Sequence, residues 1–301
     1  MVAPTISSPS PQPGAKSPQA QAALVKLFTR ISEISTLPTV AQQIITIAGD
    51  ERSGASDLLC AIENDPAMAA RVLRRVNSSY YALRNNVADL QMAISLLGFR
   101  EVRNLALTVY VARIFRDCGD IGYYNREALW DHLVAVGAGA RLICQVCRRG
   151  LPDEAYTAGL LHDIGLILMD QYLRNHFCKV IQQLSETETT PQVEHKVFPF
   201  DHAELGAFVI ERWNFAQQIV DAARFHHTPE TYKGAHGDIV HAVAVANYLV
   251  SRAGFPALGV HNVLPPGDSV YRALGLHEAQ LAEICRRLEP ALESATSMAA
   301  L

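Results

Sequence analysis

The chain has 301 residues, 49% of them hydrophobic, which is enough for one large domain or two modest ones around a buried core. A formal net charge of −4 gives no general attraction to nucleic acid or to an anionic bilayer, since both draw proteins with a surplus of Lys and Arg. No run is long and apolar enough to span a membrane and the N-terminus lacks a secretory pattern, so a soluble globular protein with no membrane partner is expected.

Residues 1–20, MVAPTISSPSPQPGAKSPQA, hold almost no large apolar side chain and cannot repay the entropy of ordering, which predicts a disordered tail. From Gln21 the apolar residues recur at helical steps in ALVKLFTRISEI, VAQQIITIAG and ASDLLCAIEN. Leu37-Pro38-Thr39 opens one helix with Thr36 as its candidate cap, and Asp65-Pro66 opens another. The latter is expected to run through AMAARVLRRVNSSYYAL to about Asn85-Asn86. QMAISLLGFREVRNLALTVYVARIF reads as two helices hinged at Gly98. Residues 21–118 are thus expected to form an N-terminal helical subdomain.

A second helical unit is expected over 119–254, with helices near 126–149, 153–173, 202–213, 216–227 and 239–253 and irregular linkers at 186–200 and 228–238. Residues 255–301 read as a loop followed by an amphipathic helix over 277–295. With no reliable alternating strand, the fold class is all-α, built by helix packing. The six cysteines are scattered through apolar segments rather than spaced as a framework, which suits a reducing compartment and makes the cytoplasm the expected location. Cys144 and Cys147 form a C-x-x-C without a second pair at zinc-ribbon spacing, and read as core or free thiols. Arg71, Arg74, Arg75 and Arg84 beside Asn77 and Tyr80-Tyr81 read as a solvated helix face.

Several separated motifs stand in a fixed order: Leu37-Pro38, Asp65-Pro66, Asn77-Ser78 with Tyr80-Tyr81, Ala93-Ile94 and Leu97-Gly98. They are followed by Leu160-Leu161-His162-Asp163-Ile164-Gly165, Asp201-His202-Ala203-Glu204 with Gly206, and His226-His227-Thr228-Pro229. Over roughly residues 25–253 this pattern resembles the HDOD family, the HD-related output domains of bacterial signalling. The resemblance implies a multi-helix HD-like bundle related to the HD and HD-GYP phosphohydrolases. In those relatives a first histidine, the HD dyad, further histidines and a late aspartate hold metal. The corresponding residues here are His132, His162, Asp163, His202, His226 and His227, and the place of the late aspartate holds Asn247.

Imidazole and carboxylate groups suit Fe, Mn, Zn or Ni, and ligands brought from separate helices make a closed pocket. Asp201 and Glu204 form a capping box that places His202 at a helix N-terminus, where the dipole should keep its ring neutral. His226-His227 end a helix, where the dipole should favour protonation. Only Asp163 is clearly anionic, so one transition-metal ion is the most the set should hold; otherwise the histidines persist as a buried polar network. Leu166 replaces the lysine that commonly follows HDIG, and HHTPETYKGAHGD lacks the ordered acid, glycine, tyrosine and proline of the HD-GYP loop. Gly165 and Gly206 read as close helix packing rather than phosphate loops.

The reading is therefore a non-catalytic regulatory domain that binds other signalling proteins, with a second copy of the chain as a further candidate partner. The alternative is a mononuclear metal-dependent phosphohydrolase acting on a nucleotide or phosphoester.

Overall fold

The computed structural model of the protein describes residues 22–27, 43–44, 46–47, 52–63, 65–77, 86–112, 120–185, 187–259 and 263–299. Among these the fold is all-α. Fourteen helices run as α1 (Ala55–Glu63), α2 (Pro66–Val76), α3 (Leu90–Leu97), α4 (Phe99–Ala112), α5 (Arg126–Cys147), α6 (Pro152–Leu161) and α7 (Ile164–Tyr172). They continue as α8 (Arg174–Gln183), α9 (Thr190–Glu194), α10 (His202–Arg212), α11 (Gln217–Phe225), α12 (Gly237–Arg252), α13 (Asp268–Leu274) and α14 (Glu278–Ala299). The β-pairing among the described residues is one isolated bridge, Ile121 with Tyr124. None of the described helices is long and apolar enough to cross a membrane.

Local chemistry explains most boundaries. Asp65 caps α2 by accepting a bond from the amide of Met68 at 3.0 Å, with Pro66 at the first helical position. Gly98 ends α3 at φ 84°, a left-handed conformation that a side chain would strain, and the chain turns there into α4. The helix α2 is shorter than its sequence suggested, ending at Val76 with Asn77 as cap. Asn77 turns its amide on the backbone of Val87, accepting at 2.8 Å and donating at 2.8 Å, which competes with further helical bonding. The expected tail, the helix at Leu37-Pro38-Thr39, and Tyr80, Tyr81 and Arg84 lie outside the described residues.

The span expected as one helix over 153–173 is two, α6 and α7, broken at His162-Asp163. Periodicity could not show the break, because both sides of it are uniformly apolar and buried. Three further helices, α8, α9 and α13, occupy stretches with no helical expectation or a linker one.

Two hydrophobic cores organise the molecule. The smaller holds Leu58, Ile62, Met68, Val72, Ile94, Val102 and Tyr110. The larger takes residues from α5 to α14 and also Leu24 and Leu27. Between them lies α4, which gives Val102, Leu105 and Val109 to the smaller core and buries Asn104 and Thr108 elsewhere. Thr108 bonds the Tyr156 hydroxyl at 2.9 Å and Asn104 donates to Asp153 at 3.3 Å, so this helix meets α6 along a polar seam. Glu101 completes the seam by pairing with Arg75 at 2.9 Å and Arg141 at 3.2 Å. Trp213 and Phe215, in the turn after α10, pack against both cores.

The Glu101 seam generates a pH-dependent prediction. Burial pushes the Glu101 carboxyl up, but Arg141 and Arg75 outweigh it and hold the group below its ordinary 4.5. A depressed carboxylate adds stability above its unfolded pKa and loses it as pH falls through the folded one. Glu101→Gln should therefore cost about 2 kcal/mol in urea unfolding at neutral pH. The gap from wild type should narrow as the pH falls below 4.5; a gap constant down to about pH 3 would assign the loss to packing instead.

Candidate metal centre

Antiparallel packing collects the histidines at one end of the larger core. The helices α5 and α6 form a hairpin whose backbones nearly touch: a Cβ on Gly159 would lie 2.7 Å from the Gly137 Cα. This crossing sets His132, near the start of α5, beside His162, which caps the end of α6, with ring centroids 5.3 Å apart. Likewise α10 and α11 pack together, bringing His202 at the start of one to His226 and His227 just after the other. The two pairs are locked by glycine. A Cβ on Gly165 would lie 2.0 Å from the His202 carbonyl oxygen, and Gly206 meets the Gly165 amide nitrogen at 3.3 Å in the same sense. Both glycines thus serve close helix packing, as their sequence setting suggested.

All six expected residues meet around Asp163. Its Oδ1 lies 3.2 Å from His202 Nε2 and 3.1 Å from His226 Nε2. Its Oδ2 lies 3.3 Å from His162 Nε2 and 3.6 Å from His132 Nε2. His227 joins through its Nε2, 2.9 Å from His202 Nε2. The side chains fall into two overlapping donor groups, His132-His162-Asp163 and Asp163-His202-His226-His227, within each of which the ligand atoms lie within 4.8 Å of one another.

The outer ring nitrogens reveal what the inner ones can do. His132 Nδ1 faces the Phe255 carbonyl at 2.6 Å, His162 Nδ1 the Gly159 carbonyl at 2.7 Å, and His226 Nδ1 the Ala223 carbonyl at 2.8 Å. A carbonyl only accepts, so each Nδ1 carries a proton, and a ring with that one proton presents a bare Nε2 lone pair. Those three Nε2 atoms and Asp163 Oδ1 have no hydrogen-bond partner among the described residues, despite their close approach. Lone pairs therefore converge on a carboxylate in a buried setting. Such a set needs positive charge, and second-sphere bonds that fix imidazole tautomers in this way are characteristic of metal ligands. The donors fit a transition-metal ion.

Glu194, which sequence reasoning missed, lies directly behind the cluster. It is fully buried and its Oε2 accepts from both His202 Nδ1 at 2.7 Å and the His202 amide at 3.0 Å. No periodic pattern marked it, because it sits in a segment that reads as a linker. Its presence corrects the expectation for His202. Burial pushes that ring down, but Glu194 and Asp163 hold it well above the ordinary imidazole range, so contact with two carboxylates outweighs the helix dipole. For His227 the dipole expectation also fails: burial, then His226 and His202, push it well below that range. Burial likewise lowers His162 to about 4. Asp163 is pushed up by burial, yet His162 and His202 hold it well below the usual carboxylate range.

Asn247 is buried and borders the cluster, but its amide oxygen accepts from the Ser251 hydroxyl at 3.4 Å. Together with Asp163, Leu166, Thr190, His202, His227, Ala257, Leu258 and Val263 it lines a cavity of about 20 Å³. Cys144 lies in the core, where burial pushes its thiol up to about 12, and Cys147 is partly buried beside it. Arg75 is held by Glu101 with its side chain mostly buried, not on the solvated helix face expected of it.

Comparison with known proteins places this geometry among relatives. The HDOD domain profile matches residues 34–229, well over half of the chain. An uncharacterized protein of Treponema pallidum (strain Nichols) is 26% identical over 227 residues, covering 73% of this chain and 43% of that protein. A crystal structure from Marinobacter aquaeolei VT8, provisionally described as a signal transduction protein, is 26% identical with a TM-score of 0.77. That match covers 94% of this chain and 65% of the Marinobacter one. The chain thus spans less than two thirds of either relative. An HDOD domain protein of unknown function from Geobacter sulfurreducens shares the fold, with a TM-score of 0.69, 24% identity, and coverage of 93% and 97%.

The Gly165 contact generates the second prediction. Gly165→Ala must push the start of α7 away from His202, separating the dyad from the later histidines. Thermal unfolding should show a loss of more than about 3 kcal/mol, well above the cost of an ordinary overpacked position. A loss below about 1 kcal/mol would mean that the two helices are free to separate.

Proposed function

The chain belongs to the HDOD family, and from that footing we propose that it is a non-catalytic signalling domain that acts by binding other proteins. The observation that carries this reading is the size and lining of the space beside Asp163. At about 20 Å³ it is the size of one water or one ion. Leu166, Leu258 and Val263 border it where a hydrolase would need charge to stabilise a leaving oxygen. The Marinobacter relative, described in terms of signal transduction, points the same way.

Within that domain the cluster would hold one transition-metal ion of the Fe, Mn, Zn or Ni kind. Asp163 would be its anionic ligand, with Nε2 donors drawn from His132, His162, His202, His226 and His227. An ion bound there supplies the positive charge that the converging lone pairs lack. Two dications are disfavoured, because among the described residues the carboxylates at hand are Asp163 and, behind His202, Glu194. Asn247 offers no charge. The protein's own residues do the rest: backbone carbonyls and Glu194 orient the rings.

Elemental analysis of natively purified, untagged protein tests the reading. About one equivalent of transition metal is expected, absent from a His162→Ala/Asp163→Ala variant. Chelation should lower the Tm by roughly 5 °C. Phosphomonoester and phosphodiester substrates should turn over no faster with wild type than with the double variant. Turnover that disappears with Asp163→Ala would instead establish the phosphohydrolase alternative, and an empty site in well-folded wild type would leave the histidines as a structural network.

A further prediction concerns Asn247. Asn247→Asp adds an anionic oxygen at the edge of the cavity, and should slow removal of the ion by a chelator while leaving turnover absent. Unchanged or faster removal would place that side chain outside the reach of the ion.

A further inference from the structure

The geometry points to Glu194 as the positioning carboxylate of this centre: it orients His202 so that Nε2 faces the ion, and it supplies the outer negative charge that lets a dication sit in the core. The inference rests on the reading of the cluster as a metal centre. Its physical basis is the pair of bonds described above. One carboxylate oxygen takes both the ring Nδ1 and the backbone amide of the same residue, which fixes which way the imidazole points. The other rings of the cluster that have such an anchor use neutral carbonyls: Phe255 for His132, Gly159 for His162 and Ala223 for His226. His202 alone in this set is held by a carboxyl group, whose pKa burial pushes up against the pull of the His202 ring.

A purely structural role does not account for the remaining details. Asp201 already caps α10, accepting from the Glu204 amide at 2.8 Å in a reciprocal capping box, so the helix start does not need a second acid. Glu194 is also completely buried, and its Oε1 has no partner among the described residues. An unneeded carboxylate in that position would be costly. A carboxylate–histidine–metal relay gives it a reason, because the charge strengthens the opposite nitrogen as a ligand and offsets the charge of the ion.

The test uses the full chain, stripped of metal and titrated with Zn²⁺ against a chromophoric chelator. Glu194→Gln keeps the shape and removes the charge, and should weaken Zn²⁺ binding roughly 10- to 100-fold while leaving the Tm of the stripped protein near wild type. Asp201→Ala, which removes the helix cap and the pairing with the half-exposed His195, should lower the Tm and leave Zn²⁺ affinity unchanged. If Glu194→Gln behaves like Asp201→Ala, Glu194 is a structural cap and the inference falls. If wild type binds Zn²⁺ no more tightly than His162→Ala/Asp163→Ala, the metal-centre reading itself fails first. Should Glu194→Gln not fold, ¹⁵N NMR of Zn²⁺-loaded wild type decides. A His202 ring protonated at Nδ1 and liganded at Nε2 supports the inference, and one protonated at Nε2 overturns it.

Discussion

The structure depends on one electrostatic constraint: imidazole lone pairs and a carboxylate are made to converge in the buried core. Like-natured acceptors do not gather unaided in a medium of low dielectric. The core must therefore force them together, and its departures from regular helix packing do so. The Gly137–Gly159 crossing brings α5 and α6 closer than side chains would allow. The chain breaks at His162-Asp163, so Asp163, at the N-cap position of α7, makes no side-chain cap bond and presents its carboxylate to the histidines instead. Gly165 and Gly206 then let the start of α7 lie directly on the start of α10.

The same helices that carry the cluster reach back to the smaller core. From the dyad, α6 runs to Asp153 and Tyr156, which bond α4. From His202, α10 runs to Trp213, which packs on both cores. From His226, α11 runs to Gln218, which donates to Glu154 in the first turn of α6 at 2.7 Å. With ten, eleven and nine residues these helices are rods of roughly 14–17 Å. Their near ends are fixed by the cluster and their far ends gather at a seam rich in Asn, Thr, Tyr, Arg and acid. Such a seam is more directional and less close-packed than an apolar one, so small displacements of the rods fall on hydrogen bonds rather than on a jigsaw of side chains.

How much of this could be read from the sequence depends on whether the signal was local. The helical class, the Asp65 cap, the hinge at Gly98 and the capping box at Asp201 each follow from neighbouring residues, and each is present. The six donors were legible only through their order along the chain, since no single histidine on an apolar helix announces a site. Glu194 carried no signal: an acid in an irregular stretch, distinguished only by which ring the tertiary fold lays against it. The surroundings of His202 were misread for a related reason. A helix terminus contributes about half a charge spread over several amides, whereas two carboxylates within 3.2 Å contribute whole ones. Local dipole reasoning loses whenever the fold delivers an ion to the same atom.

The departures at Asn247 and Leu166 acquire a common meaning from the cavity they border. Catalytic metal sites keep an open position for water or substrate, and structural ones close their coordination with protein atoms. Here the late carboxylate has become an amide whose oxygen bonds Ser251, and the place of a phosphate-binding lysine is a buried leucine. Neither change disturbs the bonds that fix His132, His162, His202 and His226. On the proposed reading, the positions that would recruit and activate a substrate are the ones that differ, while those that would hold an ion keep their donors. Under the proposed reading the centre is of the closed kind. Its contribution would be to clamp the ends of three rods whose other ends meet the smaller core, so that loss of the clamp would be felt at the seam rather than as lost chemistry.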